Sequence, residues 1–345
     1  MKADVESAPT YVTIADRSYF TGTVALVNSL HVTSNPGRVV VLDGGLTEDQ
    51  TTILERAAEV RRLPVQLSGS FVVFLKAAAH MLDLTGTLVL LDSDIVVTGP
   101  LAPIVAEARS GRIAAFIDEP IRDRAFPEWR STLGVKGDLR VQPYLNVGLI
   151  AIDLDAWPGF FERWWELCLR VPDERQDLPF DLANDVTHPF AFPEQDVFNA
   201  LLMTEIDPGR IVFHELAAAP GPSSNDTVRI VDRSRLVCAN GDRPTTLLHY
   251  WNHPKPWLPN ARSELAFDAY VEVLARLLTA DDVPVRLDPS SIPLWLRDTP
   301  TARFVRRTPR RARRGVRKLL RLLPDRIEQR ARDIGGTIAT KVRVG

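Results

Sequence analysis

Two hydrophobic periods alternate along the first ninety residues. Tyr11 to Asp16 (YVTIAD) is β-branched and nearly all apolar, the make-up of a buried strand. From Thr21 to His31 the apolar residues Val24, Leu26, Val27 and Leu30 fall on or near one helical face. Arg38 to Asp43 (RVVVLD) reads as a second strand, ended by Gly44-Gly45. Thr47 to Val60 reads as a helix that Thr47 caps, with Gln50 three residues on as its partner. Phe71 to Leu82 is a third helical pattern, and Leu88 to Leu91 is a strand that runs straight into Asp92. Continuous apolar strands separated by helices predict a parallel sheet covered on both faces, so the first half is α/β and doubly wound.

The second half is less regular. Tyr144 to Leu154 reads as a strand and Phe160 to Arg170 as an amphipathic helix rich in aromatics. Residues 171–193 and 217–227 concentrate Pro, Asp, Asn and Ser and read as loops; long loops in a compact domain are often lids or binding loops. Ser263 to Leu278 is again helical in pattern, and DDVPVRLDPSSIP breaks it. A main domain is therefore expected over residues 1–285 and a basic, partly helical tail over 286–345.

Charge sharpens that division. After residue 298 there are 15 Lys and Arg against 3 Asp and Glu, so this stretch carries +12 and the remainder −14. Residues 303–321 hold 10 basic side chains and no acid, and Val316, Leu319, Leu320, Leu322 and Leu323 add an apolar-basic pattern. Over 303–323 this is the composition of a helix lying on anionic lipid, with a solvated tail as the alternative. Phe304 is the one aromatic there to stack on bases, so no nucleic acid partner is expected. No apolar run approaches the roughly 20 residues of a membrane span. The opening MKADVESAPTYVTIAD lacks the basic and apolar regions of a secretory signal. Cys168 and Cys238 fit no zinc or redox spacing, and two buried thiols in a reducing cytosol are expected, a single disulfide being the alternative. The expected location is cytoplasmic, with peripheral attachment to the inner face of the plasma membrane through the tail.

The chemistry begins at TLVLLDSDIVV. Asp92 and Asp94 stand one residue apart at the end of an apolar strand, where ligands bind in open α/β sheets. Two carboxylates there can hold a hard divalent cation, and through it a diphosphate. A strand end with two solvated aspartates has the same sequence. So does a haloacid-dehalogenase-like phosphatase with Asp92 as nucleophile, for which Val96 fits. Such enzymes carry the motif near the start of their core and need a later lysine and an acidic pair. The one downstream Asp-Asp is Asp281-Asp282, in what reads as a terminal loop.

Three later segments change the picture. LLDSDIVV, YLNVGLIAIDL, PEQDVFNALL and LLHYWNHPKPW occur in this order, and together they resemble family 8 of the glycosyltransferases. That group includes bacterial lipopolysaccharide α-galactosyltransferases and glycogenin. The resemblance implies a GT-A (Rossmann-like) fold, a mixed mostly parallel sheet flanked by helices. It also implies bound Mn2+, with Mg2+ as the other option, and retaining transfer of a hexose from a UDP-sugar. The acceptor would be a glycan or a lipid-linked saccharide hydroxyl. By the same resemblance Asp92, Asp94 and His249 ligate the metal, and Lys255, six residues after His249, binds the diphosphate. Asn146 contacts the donor sugar and Gly148 permits close backbone approach. Glu194 holds sugar hydroxyls, Gln195 lies near the anomeric carbon, and Asp196 completes that triplet. Glu194 and Gln195 are the catalytic candidates. Ala15, Asp16 and Tyr19 stand where the family meets the uracil, and Ser93 lies between the two motif aspartates. Lys76 is the nearest basic residue to the arginine that the family carries before its Asp-x-Asp strand, and a solvent-facing place is the alternative for it. The chain departs from the family at Arg17, Ser18 and Asn252, and at Glu194, where Asp is commoner. A non-catalytic sugar-nucleotide-binding relic is the reading that the departures at Arg17, Ser18 and Asn252 favour; the intact Asp92, Asp94, His249 and Lys255 oppose it.

Overall fold

A computed structural model describes residues 8–64, 69–172, 186–221, 227–258, 261, 268–300 and 302–303. The chain divides into two compact units, Met1–Asp298 and Thr299–Gly345. The basic segment 303–323, apart from Arg303, lies outside the described residues.

Eight strands and a 3-10 segment place the chemistry of the first unit. They are β1 (Thr10–Ala15), β2 (Arg38–Asp43), β3 (Glu59–Arg61), β4 (Thr87–Leu91), β5 (Ile95–Val97), β6 (Ile113–Ile117), β7 (Leu145–Asp153) and β8 (Ile211–His214). Seven of them form one sheet in the order β3-β2-β1-β4-β7-β6-β8. Every neighbouring pair is parallel except the two that β7 makes, antiparallel to β4 and to β6. This is the expected mixed, mostly parallel sheet.

Both faces of β4 are covered. Leu88 and Leu90 belong to a core with Phe74, Trp164 and Phe198, whereas Val89 and Leu91 belong to another with Leu26, Leu30 and Ile104. The first core is roofed by helices Phe160–Cys168 and Pro193–Glu205, the second by helices Phe20–Val32 and Ala102–Arg109. A strand buried on both faces has no polar alternation, which is why Leu88–Leu91 is apolar throughout.

The helix that starts at Thr47 is shorter than its pattern. Its capping box forms: Thr47 Oγ1 accepts from Gln50 N–H at 3.2 Å and Gln50 Oε1 accepts from Thr47 N–H at 3.0 Å. The helix nevertheless ends at Leu54, and Glu59–Arg61 becomes β3, parallel to β2. Pairing satisfies the outer edge of β2, a tertiary demand that local periodicity does not carry. The helix expected over Phe71–Leu82 is a 3-10 segment, Gly69–Leu82. Ala77, Ala78 and Ala79 are all buried in it, and such small side chains let the tight segment lie close on the sheet. The helix expected over Ser263–Leu278 is seen as Ala269–Thr279, its predicted first turn falling on residues 262–267 outside the described set.

Past that helix, Val285, Leu287, Ile292 and Leu296 pack with Tyr270 and Leu274 in a third core. Asn28, fully buried, binds this segment to the sheet layer: its amide donates to Leu277 O at 2.7 Å and Val285 O at 2.8 Å, and accepts from Val285 N–H. Cys168 and Cys238 are both buried and free, as two thiols rather than a disulfide.

Candidate metal centre

The second aspartate, Asp94, depends on a small ribbon that the sequence pattern did not announce. β5 pairs antiparallel with β9 (Leu247–His249), in the register His249↔Ile95. Tyr250 N–H donates to Asp94 O at 3.0 Å, and Asp92 N–H donates to Gly148 O at 2.8 Å. The ribbon thus carries His249, over 150 residues distant in the chain, onto the turn that holds the aspartates.

Three ligand atoms meet there. One atom each from Asp92, Asp94 and His249 lies within 4.8 Å of the others. His249 Nε2 is 3.1 Å from Asp94 Oδ1 and 3.5 Å from Asp92 Oδ2. Asp94 Oδ1 is buried and, with His249 Nε2 beside it, accepts no well-directed hydrogen bond. A buried carboxylate oxygen without a well-directed donor is costly, and a cation between the three atoms would satisfy it. Two carboxylate oxygens and an imidazole nitrogen fit a first-row divalent ion such as Mn2+; Mg2+ favours oxygen alone.

The other carboxylate oxygens are held by lysines. Lys76 Nζ is 2.6 Å from Asp92 Oδ1 and 3.7 Å from Glu194 Oε1. Lys255 Nζ donates to Asp94 Oδ2 at 2.6 Å and to Tyr250 O at 2.7 Å. Lys76 is therefore an inward residue and not solvent-facing: 6% of it is exposed, and of Lys255 2%. Burial acts to lower the Lys76 ammonium, but Asp92 and Glu194 outweigh it and the group is raised. Burial would raise the Asp94 carboxyl; Lys255 and His249 overcome that and hold it well below the usual carboxylate range. The Asp94 carboxyl is thus ionised at neutral pH.

Around this centre stand the first and last motifs. Ala15 ends β1, and Asp16 Oδ1 accepts from Ser18 N–H, Ser18 Oγ and Tyr19 N–H at 2.7–2.8 Å. Ser18, a departure from the family, thus belongs to this turn. Its carbonyl accepts from Trp257 Nε1 at 2.6 Å, which ties the turn to the Lys255-Pro256-Trp257 segment. Lys255 Nζ lies 5.5 Å from the centre of the Tyr19 ring, and Tyr19 Oη is 3.2 Å from His253 Nε2. Burial, then Asp94 and Asp92, push the Tyr19 phenol far up, so it is neutral. Ser93 is buried, and its carbonyl would lie 2.3 Å from a Cβ added at Gly22, so the helix after β1 has to pass the motif as glycine.

The second half of the site comes from β7 and the helix Pro193–Glu205. Gly148 has no room for a side chain: a Cβ there would stand 2.4 Å from His249 Cε1 and 2.7 Å from Asn146 Oδ1. Glu194, with one oxygen toward Lys76, is raised by burial, Lys76 opposing and Asp92 adding to the effect. Gln195 is buried beside Val147, whose N–H donates to Gln195 Oε1 at 3.1 Å. Asp196 turns the other way and is fully buried. Arg124 binds it through Nε at 2.6 Å and a second nitrogen at 2.9 Å, Tyr144 Oη donates at 2.7 Å and Phe192 N–H at 2.8 Å. Its oxygens are occupied by the protein.

Sequence reasoning did not single out Asp118. It follows β6 and accepts from both Asn146 and Gln195. The signal was there: IAAFID is an apolar strand running into an acid, as TLVLLD is. The acidic pair that a phosphatase would need is elsewhere. Asp281 pairs with Arg286 at 2.7 Å and Asp282 with Arg276 at 2.6 Å, with the aspartates largely exposed.

Comparison with known proteins agrees with this geometry. The family model for glycosyl transferase family 8 matches residues 11–261. No curated protein sequence matches the chain. Among solved structures, the galactosyltransferase LgtC in complex with donor and acceptor sugar analogues is similar at 18% identity, with a TM-score of 0.50 over 79% of this chain and 98% of that one. The bifunctional glycosyltransferase WbbM is similar at 16% identity, with a TM-score of 0.51 over 80% of this chain and 51% of that one. At these identities the likeness is one of fold, the GT-A fold.

Proposed function

The chain belongs to glycosyl transferase family 8 and is a glycosyltransferase, and from that premise we propose that it transfers a hexose from a UDP-sugar to an acceptor hydroxyl with retention, using Mn2+. The observation that carries this reading is the meeting of Asp92, Asp94 and His249 around the buried Asp94 Oδ1. A divalent ion held by these three supplies charge neutralisation to the departing diphosphate. Lys255 spends two of its three N–H groups on Asp94 and Tyr250, leaving one for a phosphate oxygen. Such preset positive charge at the leaving group is usually the largest catalytic contribution.

Glu194 and Asn146 are assigned to the sugar hydroxyls, and Gln195 to the side of the anomeric carbon opposite the leaving group. Gln195 is an amide, and both oxygens of Asp196 are engaged by Arg124, Tyr144 and Phe192. Neither is placed to bond covalently to the sugar, which favours attack by the acceptor from the face that UDP leaves. Capture of a glycosyl group on Glu194 would overturn that order of events. Ala15, Asp16 and Tyr19 are assigned to the uracil, and Ser93 to the nucleotide between the two motif aspartates.

Calorimetry of UDP tests the reading. Binding is expected with Mn2+, weaker binding with Mg2+, and little after chelation; GDP and dTDP are expected to bind less tightly than UDP. Equal UDP affinity with and without metal would remove the metal centre from donor binding.

The acceptor is proposed to be a glycan or a lipid-linked saccharide, reached at the inner face of the plasma membrane through the basic segment 303–323. Among the described residues no helix is long and apolar enough to cross a membrane. Each Lys or Arg near an anionic surface contributes about 1 kcal/mol. The full chain is expected to sediment with phosphatidylglycerol vesicles and to lose this on deletion of residues 299–345. Undiminished sedimentation of the shortened chain would rule the segment out.

A further inference from the structure

Asp118 stands just past β6 and outside the metal cluster, yet two side chains of the proposed donor site converge on it. Its Oδ2 accepts from Asn146 Nδ2 at 3.2 Å and from Gln195 Nε2 at 3.1 Å. An ionised carboxylate only accepts hydrogen bonds, so each amide must present its amino end to it. Their carbonyl ends are then turned onto the β7 backbone. Asn146 Oδ1 accepts from Gly148 N–H at 2.8 Å and Gln195 Oε1 from Val147 N–H at 3.1 Å. Exchanging the ends of either amide would set oxygen against carboxylate oxygen and N–H against backbone N–H. Each inverted amide would thus lose two hydrogen bonds and gain two repulsions, one of them against a charge.

We infer that Asp118 is a positioning residue of the transfer reaction: it fixes which atom of Gln195 and of Asn146 faces the sugar. With the amides so held, the Gln195 amino group is turned to Asp118 and to the Tyr144 hydroxyl, and its carbonyl keeps one lone pair beyond the bond from Val147. That lone pair stays at a fixed place beside β7 without reorganising during the reaction, which is where electrostatic preorganisation has its effect. Asp118 also lies near enough to His249 for the imidazole to act on its carboxyl, which burial raises and its two amide partners lower. It is therefore an element of the same site, acting through Asn146 and Gln195.

This inference rests on the donor-site reading, and the experiment separates the two. UDP release from UDP-galactose and UDP-glucose with Mn2+ is followed for the unaltered chain and for Asp118→Asn, which keeps the shape and removes the charge. Loss of a charge-assisted hydrogen bond is expected to lower kcat by about tenfold to hundredfold. The KM and the calorimetric affinity for UDP are expected to stay within about threefold. In a Gln195→Ala background the same substitution is expected to cost less than about threefold, because the group it positions is gone. Asp118→Ser serves as a second, smaller replacement with the same expected split. An unaltered kcat in both variants overturns the role of Asp118. So does a change confined to KM, or a full effect that persists without Gln195. A wild-type chain that neither binds UDP with Mn2+ nor releases it from a UDP-hexose overturns the donor-site reading, and this inference with it.

Discussion

Asp94→Ala is expected to lower UDP affinity in Mn2+ by more than about 100-fold, since even partners that only orient a metal ligand are worth about 10–100-fold. Asp94 supplies a ligand oxygen and also neutralises Lys255, which is 2% exposed. The alanine variant leaves that ammonium buried beside a carbonyl alone, which costs about 3–5 kcal/mol of stability. Adding Lys255→Met to Asp94→Ala is expected to restore much of the stability and none of the binding, because the pair is then removed whole. Urea denaturation and calorimetry on the two variants read the two effects separately. An Asp94→Ala chain that binds UDP with Mn2+ normally would take Asp94 out of the metal site. The pair also sets a pH dependence. The Asp94 carboxyl is held below its unfolded value, so its stabilisation is complete above about pH 4 and is lost as pH falls toward the depressed value.

Arg124→Ala is expected to have the largest effect on stability. Arg124 binds both oxygens of Asp196 and donates to the carbonyls of Val186 and His188. It thereby fastens residues 186–192 and the start of the helix that carries Glu194 and Gln195. Asp196 is fully buried, and removing its cation costs about 3–5 kcal/mol. For a unit of this size that lowers the melting temperature by roughly 10 °C. Arg124→Lys recovers only part of it, since one ammonium cannot span two carboxylate oxygens and two carbonyls as a guanidinium fork does. Burial already pushes the Asp196 carboxyl up to about 6 with Arg124 and Tyr144 beside it. Without Arg124 it rises further, and a raised carboxyl loses stability as pH rises. The alanine variant is therefore expected to lag the wild type more at pH 8 than at pH 5.5. Melting curves within a degree or so of wild type at both pH values would show that the cluster carries no such weight.

The motifs were legible because each is a local run with its own physical signature. The run Leu88–Leu91 is apolar on both faces because it lies in mid-sheet, and it leads into Asp92 because the strand end opens on the site. Lys255, six residues after His249, was legible as spacing alone. The proposed partners of these groups were not. Lys76 lies on a segment whose apolar pattern fits an α-helix or a 3-10 helix equally well, so neither its direction nor its pairing with Asp92 could be read. Asp196 follows Gln195 and looked like its neighbour in function, but a helix turns successive residues by about 100°, and Asp196 faces Arg124 while Gln195 faces β7. Asp118 went unremarked because its partners stand 28 and 77 positions away.

By itself, the sequence determined the alternation of β1, β2 and β4 with helical segments, the α/β class and the identity of the groups able to hold a metal. Those follow from hydrophobic period and from side-chain chemistry, which are properties of neighbours along the chain. Only the tertiary structure decided that β7 runs against the sheet and that β5 and β9 form a ribbon delivering His249 to Asp94. It also decided which oxygen of each aspartate faces a lysine and which is left for a cation. These are relations between residues distant in sequence, set by backbone pairing and by the cost of leaving buried charge and buried polar atoms unpaired, and no local pattern encodes them.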